Sequence, residues 1–493
     1  GSGSLLCRMG GCNQVTNHKW ADRRVCIIGL GSSGRACAEV LTALGAKVSG
    51  IDGQEEAVER CCQEYPRAQF YQADQGSCAA LLDKISPSLI VVSPGVPPRH
   101  RAFSWARERQ VELWGEVELA WQIQKTATAR PDTPWLTITG TNGKTTTVGM
   151  TRSILQAAGF EALAVGNVGS PVVLAAANAK AQVLAVELSS FQLHTIRTLS
   201  PLAAVCLNLD ADHLDWHGSE QAYAAAKARV YERAQKAALY NQQDPQTLQM
   251  VLDADVIEGC RAIGFTTGTP DIYQLGIVED MLVDRAFSAN PRQEAVALAG
   301  RGDFHYYQAE PGITVLQDAL AAAGLTRAFG VEAQAVRDGI REFVPQAHRR
   351  VTVGRAAEVT WIDDSKATNT HAAAASLAGS SPNSVVWIAG GDAKGQSFDQ
   401  LIPEVASCLR GVVLIGEDRS ALRQALAQHA PQVPVVEVAG HEDMMFSVVN
   451  EAVALSRPGD QVILAPACAS WDQFANYSQR GDAFAEAVSR LEG

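Results

Sequence analysis

Short runs of apolar residues alternate with segments of helical periodicity along most of the chain. The first run, Val25–Ile28, is followed by a glycine loop, a helix-like segment up to Leu44 and a second short apolar run that ends at Asp52. Brief apolar runs are typical of strands and longer periodic segments of helices, so this pattern predicts a β-α-β unit. The alternation continues to about Glu118. A stretch rich in Thr, Ala and Pro, Thr126–Pro134, then predicts a linker.

The same alternation begins twice more. The second series opens with the strand-like run Leu136–Thr139 and a helix from Thr145, and the third begins after His348 with runs such as Val385–Ala389. Strands that alternate with helices form parallel sheets with helical crossovers, so the sequence predicts an α/β protein of three domains. We expect a tag and N-terminal extension at 1–22, and domains at 23–129, 130–345 and 346–493. The segment 266–312 lacks periodicity and is interpreted as peripheral strands and loops.

Composition and charge narrow the class of protein. A length of 493 residues predicts about three domains, and 47% hydrophobic with 19% charged residues is typical of a folded globular chain. Acidic residues outnumber basic ones by 53 to 41, and the net charge of −12 has the wrong sign for binding nucleic acid. No stretch approaches the roughly 18 apolar residues of a membrane span, and no secretory pattern is present. We therefore predict a cytoplasmic protein without nucleic-acid or membrane partners, whose 11 cysteines are free thiols.

A glycine-rich loop joins the first strand and the first helix of the second series. It reads Gly140-Thr141-Asn142-Gly143-Lys144-Thr145-Thr146. In this position, backbone N–H groups and the positive end of a helix can hold a polyphosphate. Lys144 would neutralise the β and γ phosphates, and Thr145 would offer its hydroxyl to Mg²⁺. Ile138 stands where the general P-loop has its first glycine, and a plain glycine turn is the alternative, but the context favours nucleotide binding.

Another glycine loop, Gly29-Leu30-Gly31-Ser32-Ser33-Gly34, follows the first strand of the chain. It fits the dinucleotide fingerprint, and Asp52 ends the next strand where a ribose-binding acid would lie. Three interpretations remain open: a nicotinamide cofactor, a tight turn that lets helix and strand pack closely, or a loop that holds the diphosphate of another nucleotide. Ser93-Pro94-Gly95-Val96 is a further strand-end loop that would face the same crevice.

Charged residues lie at several later strand ends. Glu187 ends an apolar strand at the sheet edge where ligands bind in open α/β folds, so its carboxylate can reach a Mg²⁺ held by the nucleotide and Thr145. The next strand ends in the acid and imidazole cluster Asn208–Asp215. Alone, that cluster predicts a solvated loop; beside a phosphate loop and Glu187, it favours metal chemistry. Lysines stand beside acids in Asp363–Asn369 and Gly390–Lys394, either as ordinary surface charges or to hold an anionic substrate.

Five sequence strings, in order between Gly140 and Phe474, form a recognisable set, and the matching motifs together extend from near Val25 to near Phe484. They are Gly140–Thr145, the ELSSFQL string from Glu187, Asp212–Asp215, the DSKATN string from Asp364 and the PACASWDQF string from Pro466. The set resembles the ATP-dependent muramyl ligases. The ELSSFQL, DSKATN and PACASWDQF strings are far more specific than either glycine loop.

The resemblance implies a fold and a reaction. It implies a Rossmann-like N-terminal domain for a UDP moiety, a central P-loop ATPase-type domain with a parallel sheet, and a Rossmann-like C-terminal domain for an amino acid. It implies a monomeric enzyme of peptidoglycan precursor synthesis with the substrates UDP-N-acetylmuramoyl-L-alanine and D-glutamate. ATP would convert the alanyl carboxylate to an acyl phosphate, and the amine of D-glutamate would then displace phosphate.

The resemblance also implies the ligands of individual residues. The UDP substrate would contact Leu30, Ser32, Ser33, Asp52, Gly95, Asn167 and His213. ATP would contact the loop from Gly140 to Thr146, together with Asp318, Arg349 and, at the ribose, Asp364. D-glutamate would contact Lys366, Thr368, Lys394, Ser470 and Tyr477. One Mg²⁺ would be held by Thr145 and Glu187, and a second by His213 and by Lys227 carrying a carbamate made from CO₂; Mn²⁺ is an alternative metal. Lys144, His213 and Lys227 would be the catalytic residues.

Three positions depart from the family pattern. Asp318 stands where an adenine-binding asparagine is usual, Tyr477 where a phenylalanine is common, and Gly53 where a hydroxyl residue would help hold UDP. The alternative enzymes are a sister muramyl ligase, although a diaminopimelate-adding enzyme should carry an Asp-x-x-Arg signature that is not found, or a folylpolyglutamate synthetase. A non-catalytic nucleotide-binding protein and a nicotinamide dehydrogenase are alternatives of other classes.

Overall fold

The computed structural model describes residues 19–167, 170–178, 180–210, 217–307, 311–440 and 443–491. The chain divides into two compact units, one formed by Gly1–Ala299 with Ala319–Ile340 and the other by Gly300–Asp318 with Arg341–Gly493. The first unit contains an N-terminal and a central sheet, and the second unit contains a C-terminal sheet.

The N-terminal sheet has five parallel strands in the order β3-β2-β1-β4-β5. Its elements are β1 (Arg24–Ile28), α1 (Ser32–Ala43), β2 (Lys47–Asp52), α2 (Glu55–Glu64), β3 (Gln69–Gln72), α3 (Gln75–Ile85), β4 (Leu89–Val92), α4 (Arg101–Glu108), β5 (Glu112–Gly115) and α5 (Glu116–Ala127). Val25 and Ile27 belong to one hydrophobic cluster and Cys26 and Ile28 to another, so β1 is buried on both faces and its apolar run is unbroken. Strand order reverses between β1 and β4, which places a ligand crevice at their carboxyl ends.

The central sheet has nine strands in the order β14-β13-β12-β11-β10-β9-β6-β8-β7. Its elements, with the helices that follow, are β6 (Trp135–Thr139), α6 (Lys144–Ala157), β7 (Ala162–Gly166), α7 (Val172–Ala176), β8 (Val183–Glu187), α8 (Ser190–Leu193), β9 (Ala203–Cys206), α9 (Glu220–Ala228), β10 (Ala237–Asn241), α10 (Pro245–Asp253), β11 (Arg261–Phe265), β12 (Gln274–Val278), β13 (Met281–Asp284), β14 (Val296–Gly300), α11 (Ile313–Phe329) and α12 (Ala333–Glu342). The strands from β7 across to β12 pair in parallel, and β13 returns antiparallel to β12. The neighbouring strands β8, β6 and β9 therefore end at one edge of the sheet.

The C-terminal sheet has six strands in the order β15-β16-β20-β17-β18-β19. Its elements are β15 (Val351–Ala356), β16 (Val359–Asp363), α13 (Thr370–Leu377), β17 (Val385–Gly390), α14 (Leu401–Val405), β18 (Leu409–Ile415), α15 (Ser420–His429), β19 (Val435–Glu437), α16 (Met444–Leu455), β20 (Gln461–Leu464) and α17 (Tyr477–Ser489). The strands from β16 to β19 are parallel, and β15 forms an antiparallel edge. The parallel strands β16, β20 and β17 direct their carboxyl ends to one edge.

The structure confirms the predicted α/β class with three sheets. Residues 266–312 do supply peripheral strands, since β12, β13 and β14 form one margin of the central sheet. None of the described helices is long and apolar enough to cross a membrane.

Candidate active site

The P-loop connects β6 to α6 in a conformation that requires glycine. Gly140 has φ +151° and Gly143 has φ +82°, where side chains with a Cβ are strained. Gly143 caps α6, and no side chain accepts a hydrogen bond from the first turn of the helix. The amide N–H groups at a helix N-terminus lack partners within the helix and attract anions. This end of α6 is therefore suited to bind phosphate, as the sequence predicts.

Two lysines converge on a single backbone oxygen of the P-loop. Lys144 donates to the carbonyl oxygens of Gly140 and Thr141 at 2.8 and 2.9 Å. Lys227, on α9 and only 2% exposed, donates to the same Gly140 oxygen at 2.8 Å. The two ammonium groups therefore lie at most twice that distance apart. Like charges this close repel each other unless negative charge lies between or beside them, so the arrangement favours a polyanion.

A buried carboxylate stands beside the P-loop. Glu187, at the end of β8 and 1% exposed, accepts a hydrogen bond from the hydroxyl of Thr145 at 2.9 Å and from the side-chain amide of Asn167 at 3.2 Å. A threonine hydroxyl and a carboxylate are hard oxygen donors, which Mg²⁺ prefers, and Mg²⁺ takes its other ligands from water and phosphate. These residues therefore fit one Mg²⁺, and the predicted proximity of Thr145 and Glu187 is confirmed.

The predicted second metal set is only partly within the described chain. His213, together with residues 211–216, lies outside the described residues. Within the described ranges, no group of three His, Cys, Asp or Glu side chains is placed to hold a metal ion. The assignment of a second metal to His213 and Lys227 stays a prediction.

The sequence predicts no contact with the P-loop for two residues that the structure places beside it, Asn208 and Tyr223. The Asn208 side chain accepts from the Asn142 N–H at 2.8 Å and donates to the Asn142 carbonyl at 3.2 Å, which fixes the tip of the P-loop. The Tyr223 hydroxyl is 3.1 Å from the Thr141 hydroxyl, and the Lys227 ammonium lies 4.9 Å from the centre of the Tyr223 ring. Tyr223 precedes Lys227 by four positions on α9, so the two side chains share one face of the helix. That spacing is the sequence signal that could have placed Tyr223 in the site.

The N-terminal glycine loop is closely packed against the next strand end. A Cβ at Gly34 would lie 2.0 Å from the Gly29 carbonyl oxygen, and the Ser93 hydroxyl donates to that oxygen at 2.7 Å. Asp52 accepts from the Leu30 N–H at 2.6 Å, and the Leu30 side chain is 1% exposed. Asp52 and Leu30 therefore build the loop.

Three other predicted contacts of the UDP substrate lie nearer the surface. Ser32 and Gly95 are exposed and Ser33 is half-buried. Gly31 caps α1, and no side-chain cap occupies the end of that helix. The amides of its first turn are thus suited to a diphosphate.

An acidic pair ends β16 in the second unit. The Asp363 carboxylate is hydrogen-bonded to Nδ1 of the His348 imidazole at 2.6 Å, and burial raises the pKa of Asp363. Asp364 accepts from the Arg350 N–H at 3.1 Å. Burial raises the pKa of Asp364 to about 6, although the Ser376 side chain and the nearby arginines oppose this. Arg349, which the sequence predicts as a contact of ATP, and Arg350 both lie near Asp364.

The residues predicted to bind D-glutamate occupy strand-end loops of the same unit. The Lys366 ammonium lies 4.1 Å from the centre of the Tyr477 ring. Ser470 is 2% exposed. The Lys394 ammonium lies 5.6 Å from the centre of the Trp471 ring. Thr368 is half-buried in the turn that leads into α13.

Two further residues of the second unit are buried. Arg480 is 1% exposed and donates to the Ser365 hydroxyl at 2.9 Å and to the Cys468 carbonyl at 3.2 Å, which ties together two of the motif strings. Burial lowers the pKa of Arg480 to about 10. Asp318, on α11, is 6% exposed. Its charge contributes to raising the pKa of Tyr307, for which burial is the main cause.

Family models match three successive parts of the chain. The Mur ligase MurD-like N-terminal domain matches residues 23–115, the Mur ligase middle domain matches 138–303, and the Mur ligase glutamate ligase domain matches 348–468. With the P-loop, the buried carboxylate and the three α/β sheets, these matches define the class. The chain belongs to the Mur ligase family of ATP-dependent, amide-forming ligases.

Comparison with individual relatives shows which members of the family this chain is similar to. The chain is 50% identical over 477 residues to the UDP-N-acetylmuramoylalanine–D-glutamate ligase of Streptomyces coelicolor, with 96% of this chain and 99% of the relative covered. It is 46% identical over 475 residues to the enzyme of the same name from Thermobifida fusca, with the same coverage. The MurF ligase of Thermotoga maritima in complex with ADP shares the fold, with a TM-score of 0.56, 14% identity and 99% of both chains covered. The family expected from the motifs is confirmed.

Proposed function

We propose that this chain joins D-glutamate to UDP-N-acetylmuramoyl-L-alanine at the expense of ATP, in peptidoglycan precursor synthesis. The substrates are those in the names of relatives that are up to 50% identical over nearly the whole chain. The observation that carries the chemistry is the convergence of Lys144 and Lys227 on the Gly140 carbonyl, beside the Thr145–Glu187 pair. That arrangement supports phosphoryl transfer.

In the first proposed step, a carboxylate oxygen of the alanyl group attacks the γ-phosphorus of ATP. The bond from that phosphorus to the β–γ bridging oxygen breaks, giving an acyl phosphate and ADP. Lys144 leaves the loop carbonyls and pairs with the transferring phosphoryl group, while the amides of the first turn of α6 hold the phosphate chain. A Mg²⁺ bound by Thr145 and Glu187 would supply further neutralising charge on the phosphates.

We further propose that Lys227 carries a carbamate in the active enzyme. Its side chain is buried beside Lys144, and an unmodified ammonium at this place repels both a metal ion and its neighbour. The ammonium first loses one proton, and the neutral amine then forms an N–C bond with CO₂ and releases a second proton, so that a negative charge replaces a positive one. The buried side chain would then be an oxygen ligand for a second metal ion, together with His213.

In the second proposed step, the amine of D-glutamate attacks the acyl carbon. The C–O bond to phosphate breaks after a tetrahedral intermediate, the amide forms, and the amine loses a proton. Lys366 and Lys394 would pair with the two carboxylates of D-glutamate, with Thr368, Ser470 and Tyr477 completing its site. Asp318, Arg349 and Asp364 are proposed as contacts of ATP.

The N-terminal loops are proposed to bind the UDP moiety and not a nicotinamide cofactor. The uncapped first turn of α1, with Ser32, Ser33 and Gly95 nearby, supports diphosphate binding. We place the reaction in the cytoplasm, where ATP is available; the described cysteines are free thiols, which agrees with a reducing compartment.

A coupled phosphate-release assay tests the proposed function. We expect phosphate only when ATP, UDP-N-acetylmuramoyl-L-alanine and one amino acid are all present, and only when that amino acid is D-glutamate. L-glutamate is the matched control because it differs in configuration alone, and L-lysine and diaminopimelate represent the sister ligases. Equal rates with the L-amino acids, or phosphate release that ignores the UDP substrate, would overturn the proposal.

A further inference from the structure

Trp471 is exposed in a way that folding does not explain. Its side chain is 73% exposed, the largest exposure among the large hydrophobic residues described. A tryptophan held in water contributes little to a core, so packing does not account for its position. The neighbouring group is the ammonium of Lys394, 5.6 Å from the centre of the indole ring, which is within the range of a cation–π interaction.

The backbone brings the loops that carry Trp471 and Lys394 into contact. Asp392 and Ala469 form an isolated antiparallel bridge, with N–H to carbonyl distances of 2.9 and 3.0 Å in the two directions. Lys394 lies two residues after Asp392 in the loop that follows β17, and Trp471 lies two residues after Ala469 in the loop that follows β20. The bridge fixes the two loops against each other, and the long Lys394 side chain reaches the indole ring.

Both loops are held beyond the bridge. The Asp392 carboxylate accepts from the Lys394 N–H at 3.0 Å, and Lys394 has φ +47°, a left-handed conformation that is uncommon for a residue with a side chain. On the other loop, Asp472 accepts from the Glu417 N–H at 2.9 Å and Gln473 accepts from the Gly416 N–H at 2.8 Å. The left-handed backbone conformation of Lys394 persists only where the surroundings determine it, and such conformations are common at binding sites.

We propose that Trp471 is a positioning residue of the amino-acid site: its indole face holds the Lys394 ammonium in the orientation that pairs with a carboxylate of the incoming amino acid. This inference rests on the proposed function, which gives Lys394 that carboxylate. The pair repeats the neighbouring Lys366–Tyr477 contact, in which an ammonium lies 4.1 Å from a ring centre. Each of the two lysines is thus oriented by an aromatic ring before substrate binds, and less side-chain entropy is lost on binding.

The test is a kinetic double-mutant cycle on Trp471 and Lys394. We expect Trp471→Ala to raise the KM for D-glutamate about two- to fivefold, with kcat and the KM values for ATP and the UDP substrate unchanged, and Trp471→Phe to restore most of the loss. In a Lys394→Met background, Trp471→Ala should have no further effect on that KM. Leu252→Ala, which removes another exposed apolar side chain, is the control and should leave all constants unchanged.

The outcomes separate the two proposals. An unaltered KM for D-glutamate in Trp471→Ala, or an equal effect of Trp471→Ala with and without Lys394, would overturn the positioning role while leaving the proposed function intact. A fall in kcat with equal changes in all three KM values would show a structural role and would also overturn it. An unmodified enzyme that releases no phosphate with D-glutamate would overturn both proposals.

Discussion

Glu116 provides the sharpest stability prediction, because it is a buried acid without a cation beside it. It is 2% exposed at the start of α5 and accepts from the Val173 N–H at 2.8 Å through Oε1. Its other oxygen, Oε2, is buried and has no hydrogen-bond partner among the residues that the structure describes. Burial raises the pKa of Glu116 from 4.5 to about 7, although hydrogen bonds from Val173 and Val172 oppose the rise. We predict that Glu116→Gln removes a pH-dependent loss of stability.

The direction and size of the effect follow from the pKa. A folded-state pKa above the unfolded one means that the folded protein keeps the proton over a pH range in which the unfolded chain has released it. Stability from this group is complete below pH 4.5 and is lost as the pH rises to about 7. At about 1.4 kcal/mol per pKa unit, the loss amounts to roughly 3 kcal/mol. Glutamine keeps the acceptor for Val173 and has no such cost.

Urea unfolding of both proteins near pH 5 and near pH 8 measures the difference. The free energy of unfolding of Glu116→Gln relative to the unmodified protein should increase by roughly 3 kcal/mol between the two pH values. Glu56→Gln, which changes an exposed carboxylate on α2, is the control and should show no such increase. A pH-independent difference between Glu116→Gln and the unmodified protein would refute the reasoning, since it would mean that Glu116 is charged in the folded state.

Three further predictions concern the site. Lys144→Ala and Lys227→Ala should each nearly abolish turnover. Lys144→Ala should also lower the affinity for ATP in an equilibrium binding measurement. Near-normal turnover in either variant would remove that lysine from the mechanism. Glu187→Gln should raise the Mg²⁺ concentration needed for half-maximal activity by tenfold or more, measured by metal titration, and an unchanged titration would exclude it as a ligand. Gly34→Ala should raise the KM for the UDP substrate or destabilise the fold, because its Cβ would lie 2.0 Å from a carbonyl oxygen. Gly31→Ala is the control, since its Cβ would have no atom within 4 Å, and it should be harmless. Equal effects of the two substitutions would contradict the packing argument.

Much of the catalytic layout could be predicted from sequence because parallel strands bring their ends to one edge. Glu187 and Thr145 are far apart along the chain, yet each follows a strand of the same sheet, and their side chains are 2.9 Å apart. The glycine positions of the P-loop are likewise a local signal, since positive φ at Gly140 and Gly143 favours glycine.

The remaining contacts depend on tertiary packing that no local pattern reports. Tyr223 reads as an ordinary core aromatic until α9 is placed against the P-loop. Trp471 stands in a motif, but its partner Lys394 belongs to a loop that is distant in sequence and that meets the Trp471 loop only in the folded domain. The role of Asp52 as a brace for Leu30 depends on side-chain direction at a strand end, and the same position in the sequence is equally consistent with a ribose ligand.

The single oxygen atom that receives hydrogen bonds from both Lys144 and Lys227 makes the chemistry of the two side chains interdependent. Any species that draws Lys144 away alters the surroundings of Lys227, and conversion of Lys227 to an anion alters the attraction of Lys144 for phosphate. Thermodynamic reciprocity requires the two influences to be equal in free energy. If Lys227 reacts with dissolved CO₂, the factor by which the carbamate changes nucleotide affinity equals the factor by which bound nucleotide changes the affinity for CO₂, and the supply of CO₂ becomes a determinant of how tightly the protein holds ATP.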